Sequence, residues 1–501
     1  MMICVASDGF SSGPDELIFA KPFGPSVKVP DPAKGYNGWH TSEAGVTETL
    51  FVLDFEMNLK PWLAESFKNI SPLIWEIKLK QGIRFHDNTP LNASVVKWAI
   101  NRIIDERSEV FNKRLQGLLN IKTITVKDNH TLVFETSKPN AAFLYDLTSP
   151  GTGIIGPGSN KYKIFGTGPF ILEKLTPDEE VVVSRFERYW GGRPHLAKAH
   201  LKIIKNPATR MLAFESGQID VVTAFPENDV KRITARKGVK IIHKATTRLC
   251  FFFVRCGDGP LADPRIRKAL NYAINREEII DAVLAGVGGE TGASIFPRIL
   301  PWHNRNLRPY PYDPDRASQL LTDAGAKDDN RDGILEFDGR PLILNMWTYE
   351  GRASLRPTIE LVQARLIKVG IATRLKITKK GSPINQAMKN GEVHLNLQMW
   401  NVSPQGDPDY FITNIFTGNA RSNFMGYHNS ELDQLARKGK VTFDPQERKI
   451  IYNRIQEIIF DESPVIVLFH KSMVSAVHDY VGNYRIHPAE KYLLTPQIYK
   501  K

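Results

Sequence analysis

Cysteine is scarce in this chain: its 501 residues include only Cys4, Cys250 and Cys256. No Cys-x-x-Cys pair occurs, which excludes the common zinc ribbons and dithiol redox sites. Cys250 and Cys256 lie six apart in one strand-like run, about 20 Å if extended, so they cannot bridge without a tight reversal. Long apolar runs are missing too; nothing approaches the roughly 18–20 residues needed to cross a bilayer as a helix. Lysine and arginine outnumber the acids and leave a formal charge of +12. They are dispersed, and no Lys/Arg-dense stripe interleaves with aromatics. The excess therefore reads as a solvated basic surface, not a nucleic-acid footprint.

Motifs for chemistry are absent as well. There is no H-E-x-x-H, no G-x-S-x-G and no G-x-x-x-x-G-K, and the twelve histidines show no metal-ligand spacing. The expectation is a protein that is not an enzyme, requires no cofactor and has no assignable metal ligands. Two imitations fail on context. Gly151-Thr152-Gly153-Ile154-Ile155-Gly156 spells a dinucleotide fingerprint, but Pro157-Gly158-Ser159-Asn160 cannot carry the helix that would face a pyrophosphate. Asp328, Asn330, Asp332 and Gly333 begin like a calcium loop, yet position twelve, which needs a bidentate acid, is Gly339. Both segments are expected to be turns.

What is present is a mixture of strand and helix patterns. In Trp75–Leu79 the apolar Trp75, Ile77 and Leu79 alternate with Glu76 and Lys78, a half-buried strand. His86-Asp87-Asn88-Thr89-Pro90 breaks the chain, and Asn92 is placed to cap a helix through Ile103. Lys122–Val126 and Thr131–Glu135 read as a hairpin, and Glu16–Ala20 as a first strand. Asp263 and Pro264 open a helix with Ile266, Leu270, Ala273 and Ile274 as its buried stripe. Helix Thr358–Val369 followed by strand Ala372–Ile377 is a step typical of α/β lobes. A length of 501 residues exceeds one core and predicts two or three domains.

Several strings in this order resemble one family. Trp-x-Ile-x-Leu-Lys-x-Gly-Ile-x-Phe-His-Asp at 75–87, Gly166-Thr167-Gly168-Pro169-Phe170, Tyr189-Trp190-Gly191-Gly192-Arg193-Pro194, Gly217-Gln218-Ile219-Asp220 and Arg267-Lys268-Ala269-Leu270-Asn271-Tyr272-Ala273-Ile274 are similar to the peptide/nickel class, family 5, of extracytoplasmic solute-binding proteins. These are the binding components of ABC importers. The resemblance covers essentially the whole chain. It implies an α/β, two-lobed, periplasmic-binding-protein-like (Venus-flytrap) fold with an inserted subdomain. The first lobe would comprise 1–30, 165–250 and 477–501, with 31–164 inserted, and the second lobe 251–476. Crossover strands near Thr246–Val254 and His470–Ala476 would form the hinge.

The implied function is capture of a small peptide or nickel/metal chelate in an interlobe cleft by a monomer that docks on a membrane permease. A sensory ligand-binding module of the same fold is the alternative. Relatives place ligand beside a tryptophan that corresponds to Trp400, which ends a strand before a Gly/Pro/Asp loop. Peptide-binding members carry an Asp three residues later, paired with the peptide ammonium; here Ser403 stands there. Either Asp407 substitutes, or the ligand is not a free-amine peptide. Arg421, in a loop that also holds Tyr427, and Arg352 and Arg356 are candidates to clamp a carboxylate. The family implies a periplasmic or membrane-associated extracytoplasmic location. The start, MMICVASDGF, shows no basic region followed by a long apolar run, so a leader removed or mis-assigned, or Cys4 as a lipidation site, is the expectation.

Overall fold

The computed structural model describes residue 13 and residues 15–501, so Cys4 lies outside the described residues. The chain forms two compact units: one of residues 1–244 with 473–501, the other of 245–472.

The first unit contains two sheets. Its larger sheet begins with β1 (Glu16–Lys21), where five apolar or aliphatic-stemmed positions in a row are buried. Such a run suits a parallel strand covered on both faces. A smaller antiparallel sheet follows, built from β2 (Ala64–Ser71), β3 (Ile74–Leu79), β4 (Ile121–Asp128) and β5 (Thr131–Thr136) in the order β2–β3–β5–β4. In β3 the expected alternation holds, with Trp75, Ile77 and Leu79 buried. On its other face Glu76 pairs with Lys127, and Lys78 with Glu65. Between β3 and β4 comes helix α1 (Ala93–Ile104), whose N-cap Asn92 accepts from the Val95 N–H at 3.0 Å.

The larger sheet continues with β6 (Phe170–Thr176), β7 (Glu180–Arg185), β8 (Lys198–Ile203) and β9 (Val221–Val222), ordered β9–β1–β8–β7–β6. β1 runs parallel to both β8 and β9, with Phe19 level with Leu201 and Val221. Leu17, Phe19, Phe170, Val183 and Leu201 form the middle of the core. Helix α2 (Pro207–Glu215) ends just before Gly217, whose φ of +77° reverses the chain into β9 at no steric cost.

The second unit holds the strands β10 (Val239–Val254, from residue 245 on), β11 (Gly289–Thr291), β12 (Ile343–Tyr349), β13 (Ala372–Thr378), β14 (Leu395–Asn401) and β15 (Val465–His478, up to residue 472). Their order is β13–β12–β14–β10–β15, with β11 beside β15. Pairing is parallel for β12 with β13 and β14, and antiparallel for β14 with β10. Helix α3 (Pro264–Ala273) is capped by Asp263 and buries Ile266, Leu270 and Ala273 as its spacing predicts. Helices α4 (Leu355–Ile367), α5 (Ser382–Lys389) and α6 (Pro445–Glu462) belong to the same unit. The two motif imitations are turns. Residues 150–152 form a single short helical turn, and in the 328–336 loop Asp328 accepts from the Asp332 and Gly333 N–H groups. Among the described residues no group of three or more His, Cys, Asp or Glu side chains is placed to hold a metal.

Candidate ligand site

Trp400 stands on a strand with two buried faces of opposite character. Leu395, Leu397 and Met399 of β14 enter the main core of the second unit. By the period of two, Asn396, Gln398 and Trp400 point to the other face. Register with β10 sets Leu249 opposite Trp400 and Phe251 opposite Gln398. The Trp400 ring, half-buried, meets Phe253 edge-on at 5.4 Å and Phe251 and Phe411 at 6.4 Å each. Phe424 extends the row, 5.9 Å from Phe253. Edge-to-face pairs of this kind contribute about 0.5–1.5 kcal/mol each beyond the area they bury. The result is a rigid aromatic wall with one indole partly in solvent.

The loop after Trp400 is held by its own polar groups. Ser403 is fully buried; its Oγ donates to the Asp407 carbonyl at 2.9 Å, and its N–H donates to Asn401 Oδ1 at 3.2 Å. Gly406 adopts φ of +82°, and its carbonyl accepts the Trp302 indole N–H at 2.8 Å. Asp407 is buried and accepts from both terminal nitrogens of Arg448 on α6. Burial opposes the guanidinium charge, but the attraction of Asp407 outweighs it and raises the Arg448 pKa. Asp409, two residues on, is raised by burial despite the nearby Lys440 ammonium. Ser403 and Asp407 are both buried and bonded within the protein. Both shape the loop that follows Trp400.

The arginines divide. Arg421 is exposed and held by no hydrogen bond or ion pair among the described residues. It lies three residues before Phe424 in the same loop. Arg356 is exposed on α4 and pairs with Glu360 one turn on at 2.9 Å. Arg352 is half-buried in the turn between β12 and α4. Tyr427, expected in the same loop as a ligand contact, turns inward: it is 4% exposed and donates to Glu462 at 2.6 Å. Burial first, then this bond to a carboxylate, raises its phenol. The structure thus joins Trp400, Ser403 and Asp407 in one segment and ties the Arg421 loop to it through Phe424. Burial raises both thiols of the unit, Cys256 to about 12.

A cluster in the first unit escaped the sequence reading. The Tyr189-Trp190 turn closes on Glu48, whose Oε1 accepts from Trp62 Nε1 at 2.8 Å and Tyr189 Oη at 2.7 Å. Its Oε2 accepts from Trp190 Nε1 at 2.9 Å and Thr167 at 2.8 Å. Lys80 lies 4.6 Å above the Trp190 ring. Burial raises the Glu48 carboxyl against these four donors. All of them belong to the protein, so the cluster fastens the unit together.

Comparison with known proteins supplies the family of this α/β protein. Residues 58–423 match the model of the bacterial extracellular solute-binding proteins, family 5 Middle. The chain belongs to this family, whose members are the non-enzymatic solute-binding components of ABC importers. It is 27% identical over 444 residues to the glutathione-binding protein GsiB of Escherichia coli O1:K1 / APEC, covering 85% of this chain and 83% of that protein. The nickel ABC transporter protein from Bacillus halodurans superimposes with a TM-score of 0.86 at 26% identity, over 97% of this chain and all of that one. The oligopeptide-binding protein AppA of Bacillus subtilis, solved with a nonapeptide, shares the fold at a TM-score of 0.73 and 21% identity, over 97% of this chain and 99% of that one. Among the described residues no helix is long and apolar enough to cross a membrane.

Proposed function

We propose that this chain captures a small peptide or a metal chelate and presents it to an ABC permease, with Trp400 as the apolar contact and Arg421 as the group that pairs with a carboxylate. The observation that carries this reading is the half-buried indole at the end of the Phe251–Phe253–Phe424 wall, beside a loop whose arginine is unengaged. Arg352 and Arg356 are secondary candidates for the same carboxylate, and Ser403, Asp407 and Tyr427 act by positioning. With Asp407 neutralised by Arg448, the favoured ligand does not rely on an ammonium anchored at this loop. A metal chelate or a peptide held by its carboxylates fits better. Relatives support the choice: one is named for glutathione, another for nickel. The lobes are proposed to be 1–30, 165–250 and 477–501, with 31–164 inserted, and 251–476. Ligand shifts the conformational population only as far as it prefers one state. Calorimetric titration with reduced glutathione and with Ni(II)–L-histidine, on the wild type and on Trp400→Ala and Arg421→Ala, tests the reading. Unchanged affinity in both variants removes this site.

A further inference from the structure

Strand β14 reads Leu-Asn-Leu-Gln-Met-Trp-Asn, and its Asn396 and Gln398 fall, with Trp400, on the face opposite the core. Asn396 is fully buried and Gln398 is 4% exposed. Two primary amides inside a fully covered strand are costly unless every hydrogen bond is made. Here they are joined in one direction. The Trp400 indole N–H donates to Gln398 Oε1 at 3.3 Å, Gln398 Nε2 donates to Asn396 Oδ1 at 2.7 Å, and Asn396 Nδ2 donates to Asn385 Oδ1 on α5 at 3.1 Å.

The direction follows from chemistry. An indole N–H can only donate, so Gln398 must turn its oxygen toward Trp400 and its nitrogen toward Asn396. Asn396 must then accept on its oxygen and donate onward to Asn385. One donor-only group at the end therefore fixes the orientation of every amide in the chain, and each amide in return fixes the indole. Hydrogen bonds in such a chain polarise one another and strengthen in a low-dielectric interior.

We infer that Gln398, Asn396 and Asn385 are positioning residues that hold the Trp400 ring at one angle through a relay reaching back to helix α5. The inference rests on the proposed role of Trp400 only for its consequence in binding; the relay itself is a property of the ligand-free protein. It makes Asn385, two links beyond the tryptophan's own partner, a remote determinant of how the indole meets a ligand.

The test labels the tryptophan indoles with 15N and follows the Trp400 N–H resonance, assigned with Trp400→Phe, in protein without ligand. Gln398→Leu is expected to shift and broaden that resonance as the ring loses its acceptor. Asn385→Ala is expected to shift it from a distance, and Asn385→Asp, which keeps an acceptor oxygen, to restore the wild-type position. A purely structural role for Asn385 would not distinguish Ala from Asp in this signal. Asn385 is only partly buried, so both variants retain the core. If Gln398→Leu and Asn385→Ala both leave the Trp400 resonance unmoved, the relay is overturned. If the resonance moves while affinity for reduced glutathione and Ni(II)–L-histidine stays at wild type, the relay stands and Trp400 leaves the ligand site.

Discussion

Asp407 and Arg448 form a two-pronged ion pair inside the second unit, with side chains 2% and 3% exposed. The guanidinium also lies against the Trp302 and Tyr452 rings at 5.3 and 5.2 Å. The pair joins the loop after Trp400 to α6. Removing one partner leaves the other charged, buried and alone, which typically costs 3–5 kcal/mol. Arg448→Met is therefore expected to lower unfolding stability by about 3–5 kcal/mol, read from urea denaturation. Asp407→Leu combined with Arg448→Met should recover most of that loss.

Glu48 offers a second such test. Its carboxylate satisfies four donors, three of them aromatic side chains. Truncation by Glu48→Ala strands those donors, and each buried group left unpaired costs about 1–3 kcal/mol. Glu48→Gln keeps one acceptor oxygen but turns an NH2 toward the donors Trp190 and Thr167. The expected order of stability is wild type, then Gln, then Ala, measured by denaturant midpoint.

Acid sensitivity follows from three buried histidines held neutral. His86 bonds the Gly168 carbonyl through Nε2 at 3.0 Å while its Nδ1 accepts the Gly166 N–H at 3.2 Å. His487 does the same with the Leu53 carbonyl and the Ala489 N–H, and His470 Nε2 donates to the Ser294 carbonyl at 2.8 Å. Burial lowers His86 and His470 to about 4 and His487 to about 3. Between the unfolded value near 6.5 and these folded values, the unfolded chain binds protons that the folded chain does not. The histidines' contribution is thus complete above about pH 6.5, falls as pH drops through this window, and levels off below the folded values. The decline is on the order of a few kcal/mol per histidine. Denaturation midpoints across pH check it, and His487→Gln should flatten the acid limb.

Lys491 adds an effect at higher pH. It is wholly buried, donates to the Thr148 carbonyl at 2.8 Å and the Thr148 hydroxyl at 2.9 Å, and burial lowers it to about 7. A lysine lowered on folding favours the unfolded state wherever the unfolded chain is the more protonated. Stability should therefore rise as pH climbs from about 7 toward 10. Lys491→Met is expected to abolish that rise, with unfolding midpoints at both ends of the range as the readout.

Much of the fold was legible in local pattern. The period of two in Trp75–Leu79, the cap at Asn92 and the Asp263-Pro264 helix start are decided by neighbouring residues, and the structure shows each. The site was legible only in part. Trp400 stood out because a large aromatic ended a strand before a Gly/Pro/Asp loop. The partners that decide what Asp407 and Tyr427 do, Arg448 and Glu462, lie 41 and 35 positions away in sequence. No local rule connects such pairs, and the same holds for Glu48 with Tyr189, separated by 141. The amides of β14 did carry a signal: alternating Asn and Gln between Leu and Met in a buried strand announces a polar face that must be satisfied internally.

The most direct test of the account is native mass spectrometry, with metal analysis, on protein purified without denaturation, wild type beside Trp400→Ala. The account predicts a small peptide or metal chelate that leaves the wild type chemically intact and is depleted from a folded Trp400→Ala variant. Equal occupancy in both proteins, or recovery of a chemically altered compound, would contradict it.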